Sequence, residues 1–504
     1  MKPRSVRRLA GPLLLAVLAG LPACAVNPAT GRPELVLMSE QRELEIGERE
    51  AEQVKQEMGI VADPALQSYV DALGQRLASA SPRRELRYDF QVVNMPEPNA
   101  FALPGGHIYV SRGLLAIAND EDELANVIGH EVGHVAARHA ASRETRALGV
   151  GILAALGSLA AGALGGGTAA QVVGQLGQVA GAGLIASYSR DQEREADLLG
   201  QRYAAAAGFD PRGMPGLLRT LEAEVSLETG GPRRPSFFDS HPATPERVSD
   251  ATTRAAGLTW TRATPIAAGR RAFLQRLDGL LLGPDPAEGV FRGSRFLHPV
   301  LDLSIQLPEG WKKQNARSAV AALAPREDAL LILEPQAAGD DPRQAANLFV
   351  QKNPVQVVES GALAIGSLSA FHARATASSQ GGTRALDLTW IAYGGTIYRL
   401  AGVTTPSGYG GYQDDFLAAA RSFGPLSAAD RESITEERLG FVEAQAGETL
   451  AGLGARTGNA WSAKETAVAN ALSLDARLQA GQLVKIARER RYRPSGTGAT
   501  SGGR

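Results

Sequence analysis

Residues 130–134 read His-Glu-Val-Gly-His, inside a run whose apolar residues Leu124, Val127, Ile128 and Val135 recur at helical spacing. The pattern predicts a helix from near Asp120, where Asp120 and Glu123 stand at capping-box spacing, to about Arg146. Histidines four apart on a helix lie about 40° from each other, so both imidazoles can reach one ion. Glu131, between them in sequence, can take a proton from a water polarised by that ion. His130 and His134 are therefore candidate metal ligands, and Glu131 is a candidate general base.

A catalytic zinc has three protein ligands and keeps a fourth position for water. His139 lies five residues beyond His134, which on a continuous helix turns it about 140° away. The spacing assigns it to structure or surface. A better third ligand lies in Tyr188-Ser-Arg-Asp-Gln-Glu-Arg-Glu-Ala-Asp197, where Glu193 and Asp197 are also four apart. One helix face then carries two carboxylates, with Glu193 as ligand and Asp197 orienting an imidazole. Asp191 and Glu195 read as solvated.

These two motifs resemble metallopeptidase family forty-eight, the gluzincins related to HtpX and the CAAX prenyl proteases. Asn99-Ala-Phe-Ala-Leu-Pro-Gly-Gly, Asn126-Val-Ile-Gly-His-Glu and Ser189-Arg-Asp-Gln-Glu-Arg-Glu-Ala-Asp look most like its periplasmic, BepA-like branch, over roughly residues 35–260. The resemblance implies one Zn2+ per chain on His130, His134 and Glu193, with Glu131 as base. It also implies cleavage of misfolded or stalled envelope proteins. His241-Pro242 with Arg247 resembles a His-Pro motif near the end of such domains. Pro242 holds His241 extended, from where it could donate to an oxyanion or cap the zinc as a fourth ligand. Asn99, Ala100 and Phe101 read as an edge strand that pairs with extended substrate.

The remainder of the chain sets the context. Lys2, Arg4, Arg7 and Arg8 precede an apolar stretch at residues 9–21, the pattern of an export signal and too short for a membrane span. Leu21-Pro22-Ala23-Cys24 resembles a bacterial lipobox, and Cys24 is the single cysteine, which points to lipidation there and to the periplasmic side of the outer membrane. A net charge of -1 provides no basic footprint for nucleic acid. Residues 147–189 contain no charged side chain and read either as a buried helical lid over the site or as a membrane contact.

The expected fold is α+β. Residues 1–23 are the signal peptide and 24–265 a mainly helical, zincin-type peptidase domain with a small sheet. Residues 290–425 form an α+β accessory domain, with apolar residues alternating at 301–307 and further strand candidates at 329–333, 385–391 and 397–403. Residues 438–490 resemble a LysM module and 491–504 a disordered tail. Peptidoglycan is an expected partner through that module. The rival reading is an envelope chaperone or peptidoglycan-binding lipoprotein with a latent zinc site.

Overall fold

The computed structural model describes residues 25–34, 36, 38–143, 187–227, 236–242, 246–379 and 382–494. The leader with Cys24, nearly all of the uncharged stretch and the tail beyond 494 lie outside the described residues. No helix among the described residues is long and apolar enough to cross a membrane.

Two helices open the fold. In α1 (Glu40–Glu57) the Ser39 side chain accepts from the Arg42 amide; in α2 (Pro64–Ala78) Asp63 accepts from the amides of Ala65 and Leu66. Leu66, Tyr69, Val70, Leu73 and Leu77 make the buried stripe of α2. It packs on a three-stranded sheet of β1 (Asp89–Val93), β2 (Ala100–Ala102) and β3 (His107–Ser111). The central β3 pairs parallel with β1 and antiparallel with β2, which leaves β2 at the edge. The β2–β3 hairpin turns at Gly105 and Gly106, whose φ values of 79° and 96° suit glycine.

Helices α3 (Arg112–Ile117), α4 (Glu121–Ala136), α5 (Arg190–Ala206), α6 (Gly213–Val225), α7 (Glu246–Gly257) and α8 (Gly269–Leu277) follow. They share one apolar core with the sheet, through Ile108, Leu114, Leu124, Ile128, Leu199, Leu217 and Phe273. Asp120 caps α4 as expected, accepting from the Glu123 amide. The helix ends at Ala136, well short of the expected Arg146. Arg138 has a left-handed φ of 55°, which breaks the run before residues 139–143 turn helical again.

Next comes a seven-stranded antiparallel sheet in the order Lys312–Ala316, Ala319–Leu323, Ala329–Ala338, Thr396–Thr404, Gly382–Tyr393, Leu368–Ser379, Val355–Ile365. Helix Gln413–Arg421 packs Phe416 with Leu331 and Leu400, and helix Pro342–Lys352 packs Ala346 with Phe371 and Trp390. The alternation at 301–307 marks strand Leu303–Gln306, but Leu301 is exposed in the turn before it. That strand belongs to a separate four-stranded sheet with Gly424–Pro425, Arg295–His298 and Val290–Arg292.

The C-terminal segment runs strand, helix, helix, strand: Thr435–Glu443, Leu450–Thr457, Ala463–Ala469 and Leu483–Arg491. Its strands pair with each other, Thr435–Glu443 also pairs with Leu281–Leu282, and Leu439 and Ala487 enter the same core as α4. Lys485 is wholly buried there, its ammonium donating to the carbonyls of Ala116, Ile117 and Ala118 at 2.9, 3.0 and 2.8 Å. These are the open carbonyls at the end of α3, just ahead of the α4 cap. Asn119 Nδ2 also donates to the Ile117 carbonyl at 3.0 Å, so Lys485→Met would leave the Ala116 and Ala118 carbonyls without a donor among the described residues, and we expect urea unfolding to register a loss of about 3 kcal/mol.

Candidate metal centre

The site forms where α4 crosses α5. A Cβ on Gly200 would lie 2.6 Å from the His130 amide nitrogen, and one on Gly129 would lie 2.9 Å from the Gly200 carbonyl. Only glycine at these positions allows backbones this close, and the approach sets Glu193 and Asp197 against the histidines. His130, His134, Glu193 and His241 are all buried, with one ligand atom from each lying within 4.8 Å of the others. His134 Nε2 is 3.0 Å from His130 Nε2 and 3.4 Å from Glu193 Oε1.

The surrounding groups orient this cluster. Asp197 Oδ1 lies 3.0 Å from His130 Nδ1, which leaves Nε2 facing inward. Arg247 donates to both Asp197 oxygens at 2.8 Å and stands 2.9 Å from Glu193 Oε2. Burial would raise Glu193, but the charge of His241 and hydrogen bonds from His134 and His241 hold its carboxyl well below the usual range. Burial also keeps His134 neutral, well below the ordinary imidazole value. A neutral imidazole beside an ionised carboxylate is the donor state that a divalent cation requires. Both Glu131 carboxylate oxygens are buried without a hydrogen bond among the described residues, and burial pushes this carboxyl up. The donor set therefore fits a metal, and nitrogen–oxygen ligation by two imidazoles and a carboxylate suits zinc.

His241 joins the cluster. Its Nδ1 lies 3.1 Å from Glu193 Oε1 and 3.3 Å from His130 Nε2, while Nε2 lies 3.1 Å from the Ala100 carbonyl and 3.5 Å from Glu131 Oε1. Phe237 stacks on its ring at 4.4 Å. Burial opposes its charged form, but Glu193 and Glu131 outweigh burial and raise its pKa.

The edge-strand residues divide. Strand alternation turns the backbone groups of Ala100 and Ala102 outward, where their carbonyls meet His241 and the Tyr188 hydroxyl. Phe101 lies in register with Tyr109, and its ring stacks there in a separate apolar cluster away from the cleft. Asn99 bonds Ser111 through its backbone and accepts from the Ser240 hydroxyl.

His139 requires correction. It is buried, and its Nδ1 stands 2.8 Å from His134 Nδ1. The expected 140° displacement assumed a continuous helix, whereas the left-handed turn at Arg138 swings His139 back. Glu195 is likewise drawn in, its carboxylate 3.2 Å from His139 Nε2. Asp191 stays at the surface, paired with Arg194. Tyr188, stacked on His134 at 3.8 Å, also belongs to the site, although no spacing in the sequence singles it out.

Residues 64–255 match the family model described as peptidase family M48. The chain is 32% identical over 243 residues to the beta-barrel assembly-enhancing protease of Yersinia pestis, covering 47% of this chain and 48% of that protein. It is 29% identical over 291 residues to the protein of that name from Escherichia coli strain K12, covering 56% and 54%. It is 32% identical over 183 residues to the mitochondrial metalloendopeptidase OMA1 of Schizosaccharomyces pombe, covering 36% and 50%. The chain spans about half the length of these curated relatives.

Within this matched region, the Arg247 guanidinium pairs with both Glu193 and Asp197. Arg247→Met would take the buried guanidinium from both carboxylates, and we expect a loss of about 3–5 kcal/mol in urea unfolding of the metal-free protein.

Proposed function

We propose that the chain is a zinc metalloendopeptidase of the cell envelope that cleaves misfolded or stalled envelope proteins. The observation that carries this reading is the convergence of His130, His134 and Glu193 beside a buried Glu131 whose carboxylate accepts no hydrogen bond among the described residues. His130, His134 and Glu193 hold one zinc per chain, with Asp197 and Arg247 fixing the ligands. When bound, zinc supplies a Lewis acid that polarises a peptide carbonyl and lowers the pKa of water towards neutrality. Glu131 takes a proton and returns it to the leaving amine, a task suited to a carboxyl raised by burial. The outward backbone groups of Ala100 and Ala102 bind an extended chain through main-chain hydrogen bonds, with little regard to its sequence.

The names of the beta-barrel assembly-enhancing relatives support an envelope substrate. The basic, then apolar leader supports export, and its lipobox-like end supports an anchor on Cys24 at the outer membrane. The strand–helix–helix–strand order of residues 435–491 supports the LysM-like reading, with peptidoglycan as its partner.

Metal content and cleavage of an unfolded protein test the enzyme against the chaperone alternative. Glu131→Gln is expected to retain zinc and lose at least about 100-fold in cleavage. Glu193→Ala is expected to arrive without zinc. Cleavage unchanged in Glu131→Gln contradicts the reading.

His241 favours a closed resting state, because it bonds both the ligand Glu193 and the substrate-edge carbonyl of Ala100. It therefore occupies the fourth metal position and the start of the substrate track. His241→Ala is expected to raise kcat/KM on an unfolded substrate; a fall would assign it instead to the oxyanion.

A further inference from the structure

We infer that His139, backed by Glu195, is a positioning residue that fixes the ring tautomer of His134 and thereby aims His134 Nε2 at the metal. This rests on the reading that His130, His134 and Glu193 hold a metal. A histidine that ligates through Nε2 carries its proton on Nδ1, and a buried N–H needs an acceptor. His134 Nε2 faces the cluster, so Nδ1 carries the proton. The partner at 2.8 Å from that Nδ1 is His139 Nδ1. His139 must then accept there and hold its own proton on Nε2, which lies 3.2 Å from the Glu195 carboxylate. The two bonds have one consistent polarity: His134 donates to His139, and His139 donates to Glu195.

The two ligand histidines thus take their orientation from two carboxylates on α5. His130 faces Asp197 directly. Glu195 is two residues from Glu193, about 200° round the helix, so its carboxylate points away from the ligand face. His139 spans that gap. Its own place is set from several directions. Arg138 donates to Glu43 Oε2 at 2.8 Å and to the Met38 carbonyl at 2.9 Å, which locks the left-handed turn. Arg83 ties Glu43 to the Val135 carbonyl at the end of α4, and Gln192 donates to the His139 carbonyl. Helix α1, outside the matched M48 span, therefore contributes Glu43 to the ordering of a metal ligand.

The test is the zinc dissociation constant of the full chain, measured by competition with a chromophoric chelator, alongside urea unfolding of the metal-free proteins. His139→Leu, which removes the acceptor, is expected to weaken zinc by about 10–100-fold. His139→Asn places an amide oxygen near the former Nδ1 and is expected to recover most of that loss. Wild-type affinity in His139→Leu overturns the inference. So does equal weakening in both variants with matching losses of metal-free stability, which would make His139 a packing residue only. Absence of zinc binding by the wild type would instead overturn the metal reading itself.

Discussion

The metal centre depends on one close contact, the passage of α4 over α5 at Gly129 and Gly200. A Cβ on Gly200 would come within 2.6 Å of the His130 amide and 2.8 Å of its Cα. Helices normally pack at 8–10 Å between axes, and small residues at the crossing hold them near the lower end of that range. Glu193 and Asp197 stand seven and three residues before Gly200, on the side that faces His130 and His134. The crossing converts two separate i, i+4 pairs into one four-residue cluster. Side chains alone could not bring it about, because short carboxylates cannot bridge two helices a few ångströms further apart.

So much buried charge is costly, and the fold offsets it by pairing rather than by exposure. Glu193, Asp197 and Arg247 form one buried group, and Glu43, Arg83 and Arg138 form another at the far end of α4. Such groups are poor sources of net stability, since desolvation consumes most of their attraction. What they supply is geometry. The first sets the face of α5 against His130, and the second sets the turn that carries His139. Lys485 does similar work at the start of α4, where its ammonium satisfies three carbonyls next to the Asp120 cap. Both ends of the helix that bears His130 and His134 are thus held by charges from elsewhere in the chain.

The cluster itself was legible in the sequence because periodicity is local: two i, i+4 pairs on helices with apolar neighbours point to one chemistry. Helix α5 was legible for the same reason, through the spacing of Glu193 and Asp197. His139 was misplaced because its position depends on a single left-handed residue, Arg138, held by Glu43 almost a hundred residues away. No local pattern reports that. Phe101 read as a site residue with its neighbours, yet strand alternation buries its ring beside Tyr109. Strands such as Val355–Ile365 and Leu368–Ser379 escaped notice because their many small and polar residues blur the alternation. The docking of the C-terminal segment was equally invisible, since Lys485 looks like any surface lysine until its three carbonyl partners are in view.

The proposed function requires that a buried set of two or three imidazoles and one carboxylate bind a single zinc ion. X-ray absorption at the zinc edge of the purified full chain tests it most directly. The expected spectrum is one zinc with a nitrogen and oxygen shell at about 2.0–2.1 Å and the outer-shell scattering of imidazole rings. A zinc shell without imidazole, made of water or of sulfur, would contradict it.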